Sequence, residues 1–303
     1  MTEQNETFKT GYVAIVGEPN VGKSTLMNSL LQQKLSIVTK KPQTTRQRVL
    51  GILNREDSQI VFLDTPGLIK PKYLLQERMV SHTKWALSDA DVILVLTEVS
   101  RRAQLPAEVE ELVLSKALNK PLLLVLNKVD TVHRAEVLPM IQEFAAREIF
   151  KEIIPISALK EENLGDLIKT IIRYLPEHAA LYPQDIVSEQ PERFFVCELV
   201  RERIFEQYRD EVPYSTAVEI VEFNERDTGK TFISADIIVE RESQKGILIG
   251  KKGEALKRIG QSSRMEIEKF LDREVFLELR VKVKEKWREK GTVLKRLGYE
   301  PHT

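Results

Sequence analysis

The chain has 303 residues, 46 of them basic and 46 acidic, with 42% hydrophobic residues and a single cysteine, Cys197. That length admits two domains whose cores need no covalent staples, and one cysteine excludes an internal disulfide framework or a cysteine metal cage, so a reducing compartment, the cytosol by default, is expected. The start, MTEQNETFKTG, lacks the charged lead and apolar core of a signal peptide, and no apolar run approaches membrane-spanning length, so a soluble protein is expected.

From Tyr12 to about Leu175, short apolar runs alternate with helical patterns. The runs are YVAIV, followed by a helix from Lys23, then IVFL before Asp64, VILVL from Val92, PLLLVL before Asn127 and IIPI before Ser157, with a helix near Leu164 to Leu175. Buried-type runs separated by amphipathic helices predict a doubly wound, mostly parallel sheet in an α/β domain over 1–175. PEHAALYPQDIVSEQP, with three prolines and no clean period, predicts a linker over 176–191. In 192–303 the pattern changes to a helix (193–209), two alternating strands (214–223 and 231–240) around the turn-like NERDTGK, and a short helix ending at Ile249. A second helix (254–271), the strand VFLELRVKV and a short helix after Trp287 complete an α-β-β-α-α-β order. No internal repeat or low-complexity segment interrupts the chain.

Chemistry enters first at GEPNVGKS, Gly17 to Ser24, which has the spacing G-x-x-x-x-G-K-[ST] between a strand and a helix. Gly17 and Gly22 let the backbone curl so that the N–H groups of the loop through Asn20, Val21 and Thr25 turn toward a polyphosphate at a helix N-terminus. Lys23 is expected against the β- and γ-phosphates, and the Ser24 hydroxyl on Mg2+. Such a loop does not by itself separate ATP from GTP. NKVD does: a carboxylate at Asp130, with Asn127 and Lys128 at the end of LLLVL, accepts from guanine N1–H and N2–H2, a donor pair adenine lacks. Ser157 and Ala158, in PISA, are expected to close over the base, with the Ala158 N–H offered to guanine O6. In DTPG, Asp64 can hold a Mg2+-bound water and the Gly67 N–H can bond a γ-phosphate oxygen, so that loss of this oxygen releases the loop.

These four motifs in this order, each behind a strand, resemble a translation-factor-type GTPase domain over 11–175. GEPNVGKS, QTTRQR at 43–48 and DTPGL resemble the Era family in particular. The resemblance implies that a threonine of QTTRQR completes the Mg2+ shell, Thr45 or alternatively Thr44. Leu68 stands where many switch GTPases carry a water-positioning glutamine, so the resemblance implies alignment of water by backbone groups, a monovalent cation or a partner. Asn20 matches the asparagine that holds K+ in several such GTPases; the alternative is that it only shapes the loop.

The neutral total conceals a charge asymmetry. Residues 241–264 carry seven basic against two acidic residues, and 280–296 eight against two, while 191–240 is acidic. A polyanion-binding face is expected. Gly250-Lys251-Lys252-Gly253 sits between two helices in the order of a type II KH domain, an α+β fold whose GXXG loop clamps a single-stranded RNA backbone. Lys245, Ile247, Ile249 and Lys257 are expected to join that loop in lining the RNA groove. With VERESQKG (239–246), LELRVKVKEKW (277–287) and LKRLGYE, the resemblance to Era extends over nearly the whole chain. It implies a GTP-hydrolysing switch, cycling between GTP and GDP, that binds the 3′ region of small-subunit ribosomal RNA and assists small ribosomal subunit assembly. A monomer is expected, cytoplasmic, with peripheral association at the inner face of the cell membrane.

Coupling is expected where the effector loop (35–48) and the segment after DTPG (68–80) pack against the KH domain or the linker. The competing reading is a constitutive RNA-binding protein with a structural nucleotide site; the set Lys23, Ser24, Asp64 and Asp130 argues against it. A tRNA-modification GTPase is disfavoured because no cysteine follows Cys197, and one phosphate loop excludes a tandem GTPase. His82, His133, His178 and His302 are expected to be solvated or capping, Cys197 to be inert core, and Trp85 to be packing. Trp287 reads as packing or as a base-stacking ring, and EKWREK (285–290) as a solvated helix or an RNA contact.

Overall fold

The computed structural model describes residues 8–99, 104–116, 119–225 and 229–300. The middle of the expected turn NERDTGK and His302 lie outside them. The first sheet has the order β2-β3-β1-β4-β5-β6, formed by β1 (Lys9–Gly17), β2 (Val49–Asn54), β3 (Ser58–Asp64), β4 (Val92–Glu98), β5 (Leu122–Asn127) and β6 (Glu152–Pro155). All neighbours are parallel except β2, which runs antiparallel to β3 with Val49 opposite Asp64. The apolar runs of the sequence do not announce this strand. Its residues, VLGILN, carry a glycine at the centre that weakens the strand signal, and Gly51 is there because an added Cβ would lie 2.4 Å from a Leu31 methyl.

The apolar runs are continuous because both faces of the sheet are covered. Val13, Ile15, Leu94 and Leu96 point into one core with α1 (Lys23–Leu31) and α5 (Leu164–Tyr174). Ala14, Val16, Ile93 and Val95 point into the other, with α2 (Leu74–Asp89), α3 (Ala107–Lys116) and α4 (Arg134–Ala145). The chain leaves β1 toward β3 and then crosses back to β4, so strand order reverses at the carboxyl end of β1. The loops after β1 and β3 meet in that crevice.

After Tyr174 the chain runs without helix or strand to α6 (Glu192–Gln207). A three-stranded sheet follows, ordered β7 (Ala217–Asn224), β8 (Thr231–Val239) and β9 (Val275–Val283), with β8 parallel to β9 and β7 antiparallel to β8. Helices α6, α7 (Glu242–Ile249) and α8 (Glu254–Leu271) share a core with one sheet face through Val200, Leu248, Ile259, Ile237 and Val281. The opposite face is partly closed by α9 (Gly291–Arg296) and by the first domain, as Leu75 and Met79 of α2 pack with Ala217, Ile238, Trp287, Leu294 and Tyr299.

That contact decides the role of Trp287. It is fully buried and its Nε1 donates to Ser215 O at 2.8 Å, so it packs between domains and is closed to stacking on a base. Around it, Glu285, Lys286, Glu289 and Lys290 are exposed, while Arg288 pairs with Glu240 at 2.5 Å and lies over the Tyr73 ring. His82 is buried in α2 and so is not solvated; Cys197 is half-buried on α6 rather than a core residue, and its thiol is pushed up to about 12 by burial and then by Glu198, which disfavours the thiolate.

Candidate functional site

The loop between β1 and α1 turns only because its backbone adopts left-handed angles, φ 68° at Asn20 and 100° at Gly22. A side chain at Gly22 would strike Asn127 Nδ2 at 2.3 Å, and one at Gly17 would strike Leu96 O at 2.2 Å. Lys23 is folded into its own loop, donating from Nζ to Gly17 O at 3.1 Å and Glu18 O at 2.7 Å. Burial lowers its pKa to about 8, against the opposing pull of Asp64 and Glu18. A polyphosphate at this ammonium restores the charge that burial disfavours.

Beside Lys23 lies a cluster of oxygens from three elements. Ser24 Oγ, at the start of α1, donates to Asp64 Oδ2 at 2.8 Å and lies 2.9 Å from Thr45 Oγ1, which is itself 3.5 Å from Asp64. The other Asp64 oxygen, Oδ1, is buried with no hydrogen-bond partner, and burial pushes this carboxyl up despite Lys23 and the hydroxyls. Two hydroxyls around a buried, incompletely satisfied carboxylate fit a hard divalent cation and its waters. Thr45 belongs to this cluster; the Thr44 carbonyl is taken up by Arg201. Gly67 brings the DTPG loop against the phosphate loop, since a Cβ there would sit 2.7 Å from Pro19 N. The next residue, Leu68, is buried and donates its N–H to Gly17 O at 3.2 Å.

At the far end, Asn127 is a strut. Its Nδ2 donates to Val21 O at 2.8 Å, while its Oδ1 accepts from the Ala158 N–H at 2.9 Å. The Ala158 amide, expected to face guanine O6, is thus engaged by Asn127. Ser157 reaches Asp130 instead, donating from Oγ to Oδ1 at 2.6 Å and fixing the carboxylate. Lys128 pairs with Glu98 at 2.5 Å. A cavity of about 570 Å3 joins the two ends, bounded by Asn20, Lys23, Thr25, Gly67, Asn127 and Asp130. Gln43, Lys40 and Leu159 also line it, and sequence reasoning gave no role to any of the three.

The effector loop is held mainly by the second domain. Arg46 is buried, its guanidinium donating to Thr216 O at 2.7 Å, Tyr214 O at 3.0 Å and Pro213 O at 3.1 Å, between the rings of Phe205 and Trp287. Arg201 of α6, paired with Glu198, donates to Thr44 O. Glu202 accepts the Val38 N–H at 3.1 Å and pairs with Lys34 at 2.6 Å, and Lys41 reaches the Phe205 and Tyr208 carbonyls. These contacts span more than 150 residues of sequence, so no local pattern could reveal them.

A second candidate interface flanks the GKKG loop. Gly250 has φ 70° with its Cβ position 2.6 Å from Ala255 Cβ, Lys252 is left-handed at φ 51°, and both lysines are exposed. A cleft of about 370 Å3 runs from Gly253 between α8 and β9, lined by Leu256, Lys257, Gly260, Arg264 and Phe276 among others. Ile247 and Ile249 are not part of it: Ile249 packs against the helical core and Ile247 is exposed elsewhere on α7. Periodicity placed both on α7 but could not tell which face meets β9. Lys245, half-buried, lies 3.8 Å from Glu242.

Comparison with known proteins identifies both domains. Residues 12–128 match the family model described as 50S ribosome-binding GTPase, and residues 211–288 match that of the KH domain. The chain is 47% identical over 302 residues to GTPase Era of Geotalea daltonii, covering 99% of this chain and 100% of the relative. It is 46% identical over 293 residues to the chloroplastic GTPase ERA1 of Zea mays, covering 96% and 70%. Two crystal structures superpose with a TM-score of 0.91 each, covering 96% of this chain and 99% of theirs: a point variant of Aquifex aeolicus Era bound to GDP.AlF4-, 45% identical, and Era in complex with MgGDPNP and nucleotides 1506–1542 of 16S ribosomal RNA, 46% identical. With a phosphate loop, an N-K-x-D motif and a GXXG domain joined in this order over the full length, the chain belongs to the Era family of GTPases.

Proposed function

We propose that this GTPase uses its nucleotide state to control RNA binding: with GTP and Mg2+ in the first cavity, it takes the 3′ region of small-subunit ribosomal RNA into the cleft beside GKKG and assists assembly of the small ribosomal subunit. One observation carries the reading. Thr45 touches Ser24 at 2.9 Å, while Thr44 and Arg46 on either side are tied to the second domain. A ligand that draws the Thr45 hydroxyl toward itself pulls on two interdomain anchors, which is the differential contact a switch requires.

Ser24 and Thr45 would hold Mg2+, with Asp64 on a metal-bound water. The ion supplies charge neutralisation between the β- and γ-phosphates. Lys23 grips the same phosphates, the Gly67 N–H marks the γ-phosphate, and Asp130, oriented by Ser157, reads guanine. Asn20, whose Nδ2 donates to Lys40 O at 3.2 Å, would help hold K+ at the mouth of the cavity. Hydrolysis is then faster in K+ than in Na+, and Asn20→Asp removes the difference; equal rates in both salts dispose of the cation. The relative bound to nucleotides 1506–1542 of 16S ribosomal RNA supports the choice of RNA.

A lone cysteine whose thiolate is disfavoured suits a cytoplasmic monomer. Peripheral association with the inner face of the cell membrane rests on the family resemblance, and flotation with anionic vesicles tests it. The deciding experiment is RNA affinity measured with a non-hydrolysable GTP analogue and with GDP. A difference is expected; identical affinities would undo the switch while leaving both binding sites in place.

A further inference from the structure

Leu68 leaves the GTPase centre without the side-chain amide that the loop after DTPG often supplies. Its own side chain is buried in the core beneath the sheet. The effector loop offers an amide from the opposite side. Between Lys40, whose carbonyl takes the Asn20 side chain, and Thr45, which joins the hydroxyl cluster, the loop crosses the mouth of the cavity at the end marked by Asn20 and Gly67. Midway stands Gln43, a lining residue held at φ 61°, a left-handed strain that a non-glycine residue adopts only when its surroundings demand it.

The surroundings are Gln76, a buried residue of α2. The Lys72 backbone N–H donates to Gln76 at 2.8 Å, and because a backbone N–H can only donate, the receiving atom is Oε1. Gln76 therefore turns Nε2 toward Gln43, and at 3.2 Å the atom it meets is Gln43 Oε1. This relay fixes the Gln43 carbonyl on α2, and because Gln43 lines the cavity, its NH2 group is the end of the amide that the relay does not engage.

We propose that Gln43 is a catalytic residue of GTP hydrolysis, its Nε2 donating to the γ-phosphoryl oxygens as the transition state forms, with Gln76 as its positioning residue. In that step a water oxygen bonds to the γ-phosphorus, the bond to the β,γ-bridging oxygen breaks with its electron pair leaving on GDP, and the water's proton ends on inorganic phosphate. Donors aimed at developing phosphoryl charge accelerate without tightening ground-state binding.

The test rests on GTP hydrolysis at this site, so Lys23→Ala is the control; hydrolysis undiminished in that variant would break the site reading itself and not this one. Gln43→Asn keeps a residue tolerant of left-handed backbone but is one methylene short, and Gln43→Gly removes the amide without strain. Single-turnover hydrolysis of bound GTP should fall at least about tenfold in both, with GTP and GDP affinities within about threefold of the parent. Affinity of the GDP complex for aluminium fluoride should fall in step with the rate. Gln76→Glu keeps the acceptor for Lys72 but turns the Gln43 amide around, and should slow hydrolysis likewise. Parent rates in Gln43→Asn and Gln43→Gly, equal losses of rate and GTP affinity, or a parent rate in Gln76→Glu would each overturn the proposal.

Discussion

Replacing Arg46 by alanine tests the physical link between the two domains. The guanidinium makes three hydrogen bonds to carbonyls of 213, 214 and 216, at 2.7 to 3.1 Å, and only 4% of the residue is exposed. Each bond to a charged donor is worth about 1.5–3 kcal/mol, but the three share one side chain and one desolvation cost, so they do not add. Stranding several buried carbonyls without their cation should therefore cost about 3–5 kcal/mol of stability. Arg46→Lys retains the charge as a single ammonium, which cannot reproduce the guanidinium fork, and should recover less than half of the loss, or under about 2 kcal/mol. Trp287, packed against Arg46, reports the contact directly: urea unfolding followed by its fluorescence in a Trp85→Phe background should show an earlier transition. The same variant should lose any difference in Trp287 emission between GDP and a GTP analogue. A loss below about 1 kcal/mol, or an emission difference that persists, would show that the contact carries neither stability nor coupling.

Three further outcomes follow from the sites. Asp130→Asn replaces the carboxylate proposed to accept two guanine N–H groups with an amide that offers its own donor, and GTP affinity by equilibrium dialysis should fall at least about thirtyfold, from about 2 kcal/mol or more of polarity left unpaired against the bound base. A nucleotide with a carbonyl at position 2 should recover part of it. Lys251→Ala with Lys252→Ala should weaken single-stranded RNA binding at all sequences and reduce the logarithmic salt slope by about 1.4, two phosphate contacts at about 0.7 each; an unchanged slope would remove the lysines from the RNA path. For Lys23 the sign is that of a depressed cation: free folded pKa about 8, ordinary value 10.5, so the unfolded chain holds more protons between these values and nucleotide-free stability rises with pH across that window. Nucleotide phosphates raise the pKa again, so GTP binding takes up a proton and affinity declines as pH climbs through 8 and above. Calorimetry in buffers of different ionisation enthalpy measures that uptake, and its absence at pH 8 to 9 would contradict the burial of a charged Lys23.

Much of the molecule is legible in one dimension because its chemistry is compact. A phosphate loop, an N-K-x-D carboxylate and a GXXG turn each need a handful of consecutive residues between defined elements. The residues that hold them are less visible. Asn127 ties Val21 to Ala158, and Ser157 aims Asp130, through bonds that cross strands; the sequence marks these residues as near the base but not as struts. Gln43 and Gln76 look like ordinary polar residues until the effector loop folds across the cavity toward α2.

Local sequence was sufficient for the two domains' classes, the guanine nucleotide and the GKKG loop, because backbone geometry and motif spacing are encoded by neighbours in the chain. The folded chain brought Thr45 rather than Thr44 to the Ser24 hydroxyl, opened a cleft beside GKKG at the seam of α8 and β9 that Ile247 and Ile249 do not line, and turned Trp287 from a base-stacking candidate into an interdomain core residue. One physical cause is common to all three: which face of a helix or loop is buried depends on a partner far away in sequence, and the free energy that selects that face arises only when the two meet.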